Sequence, residues 1–164
     1  MINERQLQNL AKLSQELNTE TDSFNKSILD LEKRLADMNI GVSVWRRGVD
    51  KYLCRHEEQR DGDPENYRTV SGWIWGYDKV GDAWRFGVQK RTDVWCYAPE
   101  GDDANGKEPQ FVRCIEKQPP VPLTSAPRAV RIEAPEHIKE LLDGIENTMK
   151  KLLKRIKQAR TEIA

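Results

Sequence analysis

Two segments at the ends of the chain carry apolar residues at heptad spacing. Near the N-terminus these positions alternate in steps of three and four from Leu7 to Met38. In the last thirty residues the same alternation runs from Ile138 to Ile163 without a polar interruption. This repeat places an apolar stripe along one side of an α-helix and is typical of coiled coils. The sequence therefore predicts helices over residues 1–40 and 134–164, packed together as one structural unit.

The N-terminal pattern contains one weak stretch. Ser14 and Thr21 are polar residues at stripe positions, and residues 18–23 favour helix poorly. The sequence leaves open whether the first helix is continuous or breaks near residues 18–23. We expect this helix to end at Gly41.

The two stripes are wider than a single partner helix can cover. Leu13, Leu141 and Leu153 lie beside the main rows, so two helices alone would leave apolar surface exposed. The excess predicts either a four-helix arrangement in a homodimer or helices that fold back over the sheet, and we favour the homo-oligomer. The expected contact residues are Leu10, Leu17, Leu31, Ile145, Leu152 and Ile156.

The residues between the helices have a different composition. All five tryptophans and seven of the eight prolines lie in residues 41–133. Short runs of alternating apolar and polar residues there predict strands at 42–47, 51–56, 67–77, 83–91, 93–97, 111–116 and 128–132. The predicted fold class is α+β, in which long coiled-coil-like N-terminal and C-terminal helices flank a small antiparallel β-sheet. Residues 41–133 form the β head of that fold.

A hairpin around Val80 and Gly81 is the clearest local prediction. In the expected register Tyr77 faces Trp84 and Trp75 faces Phe86. One face of the hairpin is then aromatic and belongs to the core, whereas the other face carries small, polar and basic residues.

The basic face is the candidate binding surface. Its glycines remove side-chain bulk and would let a ligand approach the backbone. Guanidinium groups bind phosphate and aromatic rings stack on bases, so the combination favours an anionic small molecule such as a nucleotide. The alternative is that the arginines only keep a solvated face soluble. The candidate ligand-binding residues are Arg46, Arg47, Arg68, Arg85, Gln89 and Arg91.

Cysteine and histidine suggest two further kinds of site. Cys54, His56, Cys96 and Cys114 could together ligate zinc, but their spacing matches no compact zinc module. We therefore favour free structural thiols and expect no cofactor. An enzyme that uses Cys54 as nucleophile and His56 as base is the least favoured function.

Composition narrows the partners. Lysine plus arginine and aspartate plus glutamate each number 27, so a chain built chiefly for nucleic-acid binding is unlikely on charge alone. No apolar run approaches the roughly 20 residues that span a bilayer, and the first residues lack a signal-peptide core. Three widely spaced cysteines do not form a disulfide framework, which favours the reducing cytoplasm.

One local pattern is shared with other small proteins. The run Gly-Tyr-Asp-Lys-Val-Gly at 76–81, followed by Trp84, and the run Ala-Pro-Arg-Ala-Val-Arg-Ile-Glu-Ala at 126–134 resemble small uncharacterised bacterial and phage proteins. The resemblance implies the order helix, small sheet, helix, and it implies no activity.

The leading functional prediction is a non-catalytic, homo-oligomeric binding protein. Its β head would bind or sequester an anionic small molecule, for instance a nucleotide signal, or block a protein partner. A coiled-coil scaffold or adaptor is the first alternative, and the Cys/His enzyme is the second.

Overall fold

The computed structural model describes residues 3–97 and 108–163, with side chains described as far as residue 162. Its fold is α+β, with a six-stranded antiparallel sheet, a long N-terminal helix and a C-terminal helix. Residues 3–40 form one compact unit, and the remaining described residues form another. No helix in the described ranges has the length and apolar character needed to cross a bilayer.

The first unit is a single helix, α1 (Glu4–Asp37), without a break at residues 18–23. Asn3 caps its start by accepting a hydrogen bond from the Arg5 amide at 3.0 Å. Within the weak stretch, the Thr21 hydroxyl donates to the Leu17 carbonyl at 2.6 Å, so this polar group is satisfied inside the helix. The helix ends earlier than Gly41, because Asn39 adopts a left-handed φ of 52° just beyond the last turn.

The second unit contains all the strands. They are β1 (Val44–Trp45), β2 (Leu53–Glu58), β3 (Tyr67–Val80), β4 (Ala83–Cys96), β5 (Gln110–Lys117) and β6 (Val121–Pro122). The long strands β3 and β4 pair with each other over all 14 residues of each strand. On the outer side of β3 lie β1 and β2, and on the outer side of β4 lie β5 and β6. The β3–β4 hairpin is therefore the centre of the sheet.

The hairpin register differs from the prediction by two residues. Val80 pairs with Ala83, so the loop is Gly81-Asp82, and Tyr77 faces Phe86 rather than Trp84. Gly81 has a φ of 67°, the positive value that tight hairpin turns need at their first loop position. A shift of two residues keeps every side chain on its predicted face.

The aromatic face of the hairpin forms the larger part of the core. Trp75, Tyr77 and Phe86 are fully buried there, whereas Trp73 and Trp84 are half-buried. The rings of Tyr77 and Trp84 stack with centroids 5.8 Å apart across the diagonal of the pairing. The prediction of an aromatic core face is confirmed for the fully buried rings.

Two helices follow the sheet: α2 (Arg128–Glu133) and α3 (Ile138–Ile163), joined by a 3₁₀ turn at Ala134–His137. The predicted strand at 128–132 is wrong, because those residues form α2. Buried Ala126, Val130 and Ala134 recur every four residues, which is a helical spacing. Helix α2 contacts β2, and α3 contacts β1 and β3.

Candidate functional site

A groove runs across the second face of the hairpin, which we call the groove face. Its inner cavity has a volume of about 210 Å³ and its outer cleft about 370 Å³. Arg47, Ile74 and Arg91 line both parts, so the two lie side by side. The inner cavity is completed by Gly48, Tyr52, Asp93, Trp95 and Phe111, and the outer cleft by Trp45, Asp78, Gln89 and 117–120.

The floor of the groove comes from strand periodicity. Side chains alternate between the two faces of a strand, so Gln89, Arg91, Asp93 and Trp95 of β4 point to the same side. The walls come from connecting segments. One wall is formed by the residues that come after β1 in the sequence, and the other by the residues that come after β5. In the second wall the Gln118 amide donates to the Lys90 carbonyl at 3.0 Å.

A buried carboxylate orients the polar groups of the inner cavity. Asp93 is only 2% exposed, and it accepts hydrogen bonds from the Tyr52 hydroxyl and from Arg91 Nη2, the latter at 3.0 Å. Burial, and then the neighbouring Asp93, raise the pKa of Tyr52 well above its ordinary value. Tyr52 therefore stays a neutral donor at physiological pH, and the charges of Arg91 and Asp93 offset one another.

Two cations at the groove rim are not offset in this way. Arg47 and Lys117 are both exposed, and neither forms an ion pair with any residue in the described ranges. Arg47 lines both the outer cleft and the aromatic inner cavity, and Lys117 lines the outer cleft. The carboxylate of Asp78 lines the same cleft and offsets part of this charge, so the balance available to an anion is positive.

The structure brings together three of the six predicted ligand-binding residues. Arg47, Gln89 and Arg91 line the groove. The other three do not line either part of it. Arg68 donates to the Tyr67 carbonyl at 2.8 Å and to the Glu65 carbonyl. Arg85 lies opposite Asp78 in the register of the β3–β4 hairpin.

Arg46 has a structural environment of its own. It is buried, and its Nη2 lies 2.5 Å from Glu140 Oε2 and 3.4 Å from His137 Nδ1. Lys51 Nζ lies 2.9 Å from Glu140 Oε1. The carboxylate of Glu140 therefore joins the start of α3 to the segment around β1.

We expect this carboxylate to make stability dependent on acidic pH. Hydrogen bonds from Lys51 and then Arg46 lower the pKa of Glu140 below its ordinary 4.5. Its contribution is therefore complete above about pH 5 and is lost as the pH falls through the lowered pKa. Because Glu140 is half exposed, Glu140→Gln should cost only about 1–2 kcal/mol at pH 7.

Urea unfolding at pH 7 and at pH 3 tests this expectation. The difference between wild type and Glu140→Gln should be smaller at pH 3 than at pH 7, because the wild-type carboxylate is progressively protonated as the pH falls through its lowered pKa. Glu136→Gln, an exposed carboxylate just before α3, is the control and should leave stability nearly unchanged at both pH values. An equal loss at pH 7 and pH 3 would contradict the assignment.

The glycines of the groove face have a different role from the predicted one. A Cβ at Gly76 would lie 2.4 Å from the Val44 carbonyl oxygen and 2.8 Å from Trp45 Cδ2. A Cβ at Gly72 would lie 2.8 Å from the Leu53 carbonyl oxygen. These glycines therefore accommodate β1 and β2 of the same chain, and they do not open the backbone to a ligand.

Sequence reasoning missed most of the inner cavity, namely Tyr52, Asp93, Trp95 and Phe111. A usable signal existed for two of them. Residues 83–96 form one strand, and alternation along it from Gln89 places Asp93 and Trp95 on the same face as Arg91. The sequence pattern predicts two strands there and so misses this relation. Tyr52, just before β2, and Phe111, on β5, reach the site from distant parts of the sequence, which no local pattern reveals.

The cysteine-based predictions find little geometric support. In the described part of the chain, no group of three histidine, cysteine or acidic residues is arranged to hold a metal ion. Burial, followed by neighbouring Glu133, raises the pKa of Cys54. Burial, followed by Asp93, raises the pKa of Cys114. A raised pKa lowers the thiolate fraction, which is the opposite of the shift that activates a cysteine nucleophile.

Comparison of the chain with protein-family models, with curated proteins and with solved structures finds no match in any of the three.

Proposed function

We propose that this chain is a non-catalytic binding protein whose groove takes a planar, anionic small molecule of the mononucleotide class. The observation that supports it most is the position of two cations, Arg47 and Lys117, at the mouth of an aromatic cavity. A flat ring fills the inner cavity in this proposal, and its phosphate lies between the two cations.

The dimensions and the lining suit such a ligand. Small-molecule sites typically measure about 300–1,000 Å³ and combine apolar walls with a few polar groups. The inner cavity offers the rings of Tyr52, Trp95 and Phe111, with Trp95 and Phe111 in edge contact at 5.7 Å. Aromatic walls of this kind favour a planar heterocycle over a sugar alone.

The charges suit a phosphate in the outer cleft. An arginine and a lysine there can each form a charge-assisted hydrogen bond, worth about 1.5–3 kcal/mol. The amides of Gln89 and Gln118 line the same cleft and add neutral donors and acceptors. The Asp93–Arg91 pair fixes the floor before any ligand arrives, which reduces the ordering cost of binding.

Calorimetric titration with AMP, GMP, CMP and UMP tests the proposal. At least one nucleotide should bind, while ribose 5-phosphate, which lacks the ring, should bind at least about tenfold more weakly. Arg47→Ala and Lys117→Ala should each raise the Kd by about tenfold or more, because each removes a charge-assisted contact to phosphate.

Arg113→Ala is the matched control, because Arg113 is an exposed cation on β5 that does not line the groove. It should leave the Kd within about twofold of wild type. The proposal fails if no mononucleotide binds at millimolar concentration, or if Arg113→Ala weakens binding as much as Arg47→Ala.

A further inference from the structure

The first half of helix α1 exposes an apolar stripe. Leu7, Leu10, Leu13 and Leu17 lie at helical spacing along one side, and between 43% and 63% of each residue is exposed. Leucines at this spacing on an isolated helix normally face a partner. Leu29 is also exposed, but it lies off this row.

The second half of helix α3 exposes a similar stripe. Met149, Leu152, Leu153 and Ile156 lie along one side, and between 39% and 58% of each residue is exposed. Of the residues predicted to mediate self-association, Leu10, Leu17, Leu152 and Ile156 are thus exposed, Leu31 is half-buried and Ile145 is buried.

The two stripes carry opposite charge on their flanks. Residues 146–162 of α3 contain six lysines and arginines against two glutamates. Residues 4–22 of α1 contain four carboxylates against one arginine and one lysine. Two copies of the α3 stripe would repel each other, whereas the α1 and α3 stripes attract each other.

The amount of apolar surface fits an interface between two copies. Eight half-exposed side chains of this size represent roughly 400 Å² of apolar area per copy, or about 800 Å² for a pair. A standard interface of about 1,600 Å² is somewhat more than half apolar, so the two amounts are close.

We infer that a second copy of this chain covers these stripes, with the α1 stripe of one copy packed against the α3 stripe of the other. Twofold repetition of that contact buries both stripes of both copies in one closed homodimer. This interface lies outside the groove, so it does not depend on the ligand proposed above.

Light scattering on a gel-filtration column between 5 and 200 µM, at low and high salt, tests the inference. Wild type should elute as a dimer that weakens with salt. Leu10→Gln and Leu152→Gln should each raise the dimer Kd by about tenfold, because glutamine preserves helix propensity and removes the apolar contact. Leu29→Gln is the matched control and should leave the Kd unchanged.

A charge-exchange experiment identifies the pairing. Glu16→Lys/Glu20→Lys and Lys150→Glu/Lys154→Glu should each dimerise more weakly than wild type by themselves. An equimolar mixture should form a heterodimer more strongly than either variant forms a homodimer, because one α1–α3 contact regains opposite charges.

Three results would overturn the inference. One is a wild-type monomer at 200 µM that binds no other copy. Another is a monomer that sediments with phosphatidylserine vesicles, which would assign the basic α3 stripe to a membrane surface instead. The last is a folded dimer whose Kd is changed equally by Leu10→Gln and Leu29→Gln. Circular dichroism confirms that each variant remains helical.

Discussion

Replacing Gly76 by alanine should lower the free energy of unfolding by about 3 kcal/mol or more. The added Cβ would lie 2.4 Å from the Val44 carbonyl oxygen, a distance that requires β1 to move away from β3. That movement breaks the Val44–Tyr77 pairing and displaces Trp45, whose Nε1 donates to Asp78 at 2.7 Å. Urea unfolding followed by circular dichroism measures the loss, and tryptophan fluorescence reports the displacement.

Gly41→Ala is the control for this variant. A Cβ at Gly41 would meet only Trp84 Cζ2, at an ordinary 3.8 Å. Replacing glycine with alanine lowers the conformational entropy of the unfolded chain equally in both variants. The difference between their free energies of unfolding therefore measures the effect of the clash at residue 76. Equal stabilities for the two alanine variants would mean that β1 is not packed on β3 as described.

Replacing Asp93 by alanine should cost about 3–4 kcal/mol, because it leaves the half-buried Arg91 guanidinium and the buried Tyr52 hydroxyl without their acceptor. The cost is larger than for Glu140→Gln, since Asp93 is almost completely buried. Urea unfolding at pH 7 measures it. A loss below about 1 kcal/mol would show that Asp93 does not hold the two neighbouring side chains.

The double variant Arg91→Met/Asp93→Leu separates stability from binding. Replacing both partners of a buried ion pair with apolar residues of similar size is often neutral, so the part of the Asp93→Ala loss that comes from the unpaired Arg91 should return, whereas the Tyr52 hydroxyl still lacks its acceptor. The nucleotide affinity of the double variant should be lower than that of wild type, because the polar floor of the groove is gone. Recovery of both properties together would exclude a binding role for the pair.

Local periodicity predicted a large part of this fold. The heptad spacing located helix α1, and the alternation of β3 and β4 separated an aromatic face from a polar one. The hairpin register was wrong because Val80-Gly81 and Gly81-Asp82 are both plausible loops. The pairing of Val80 with Ala83 in the structure distinguishes them. The coiled-coil packing of the terminal helices stays a prediction.

Short segments and long-range contacts were the limits of that reasoning. Six residues are too few to distinguish a helix from a strand by pattern, so the sequence predicts a strand where α2 forms. The candidate site depends on contacts between distant parts of the sequence. Tyr52, which directly precedes β2, approaches Asp93, and Phe111 reaches Trp95 from β5. Arg46 follows β1 directly, yet its side chain contacts Glu140 instead of the groove.

The groove is built from two kinds of segment. Its floor belongs to the β3–β4 hairpin, whereas Arg47-Gly48 and residues 118–120 are connections outside that hairpin. Connections tolerate substitution and changes of length better than paired strands do. An engineer could therefore graft new recognition loops at these two places and change what is captured, while the tryptophan-rich scaffold beneath them is retained.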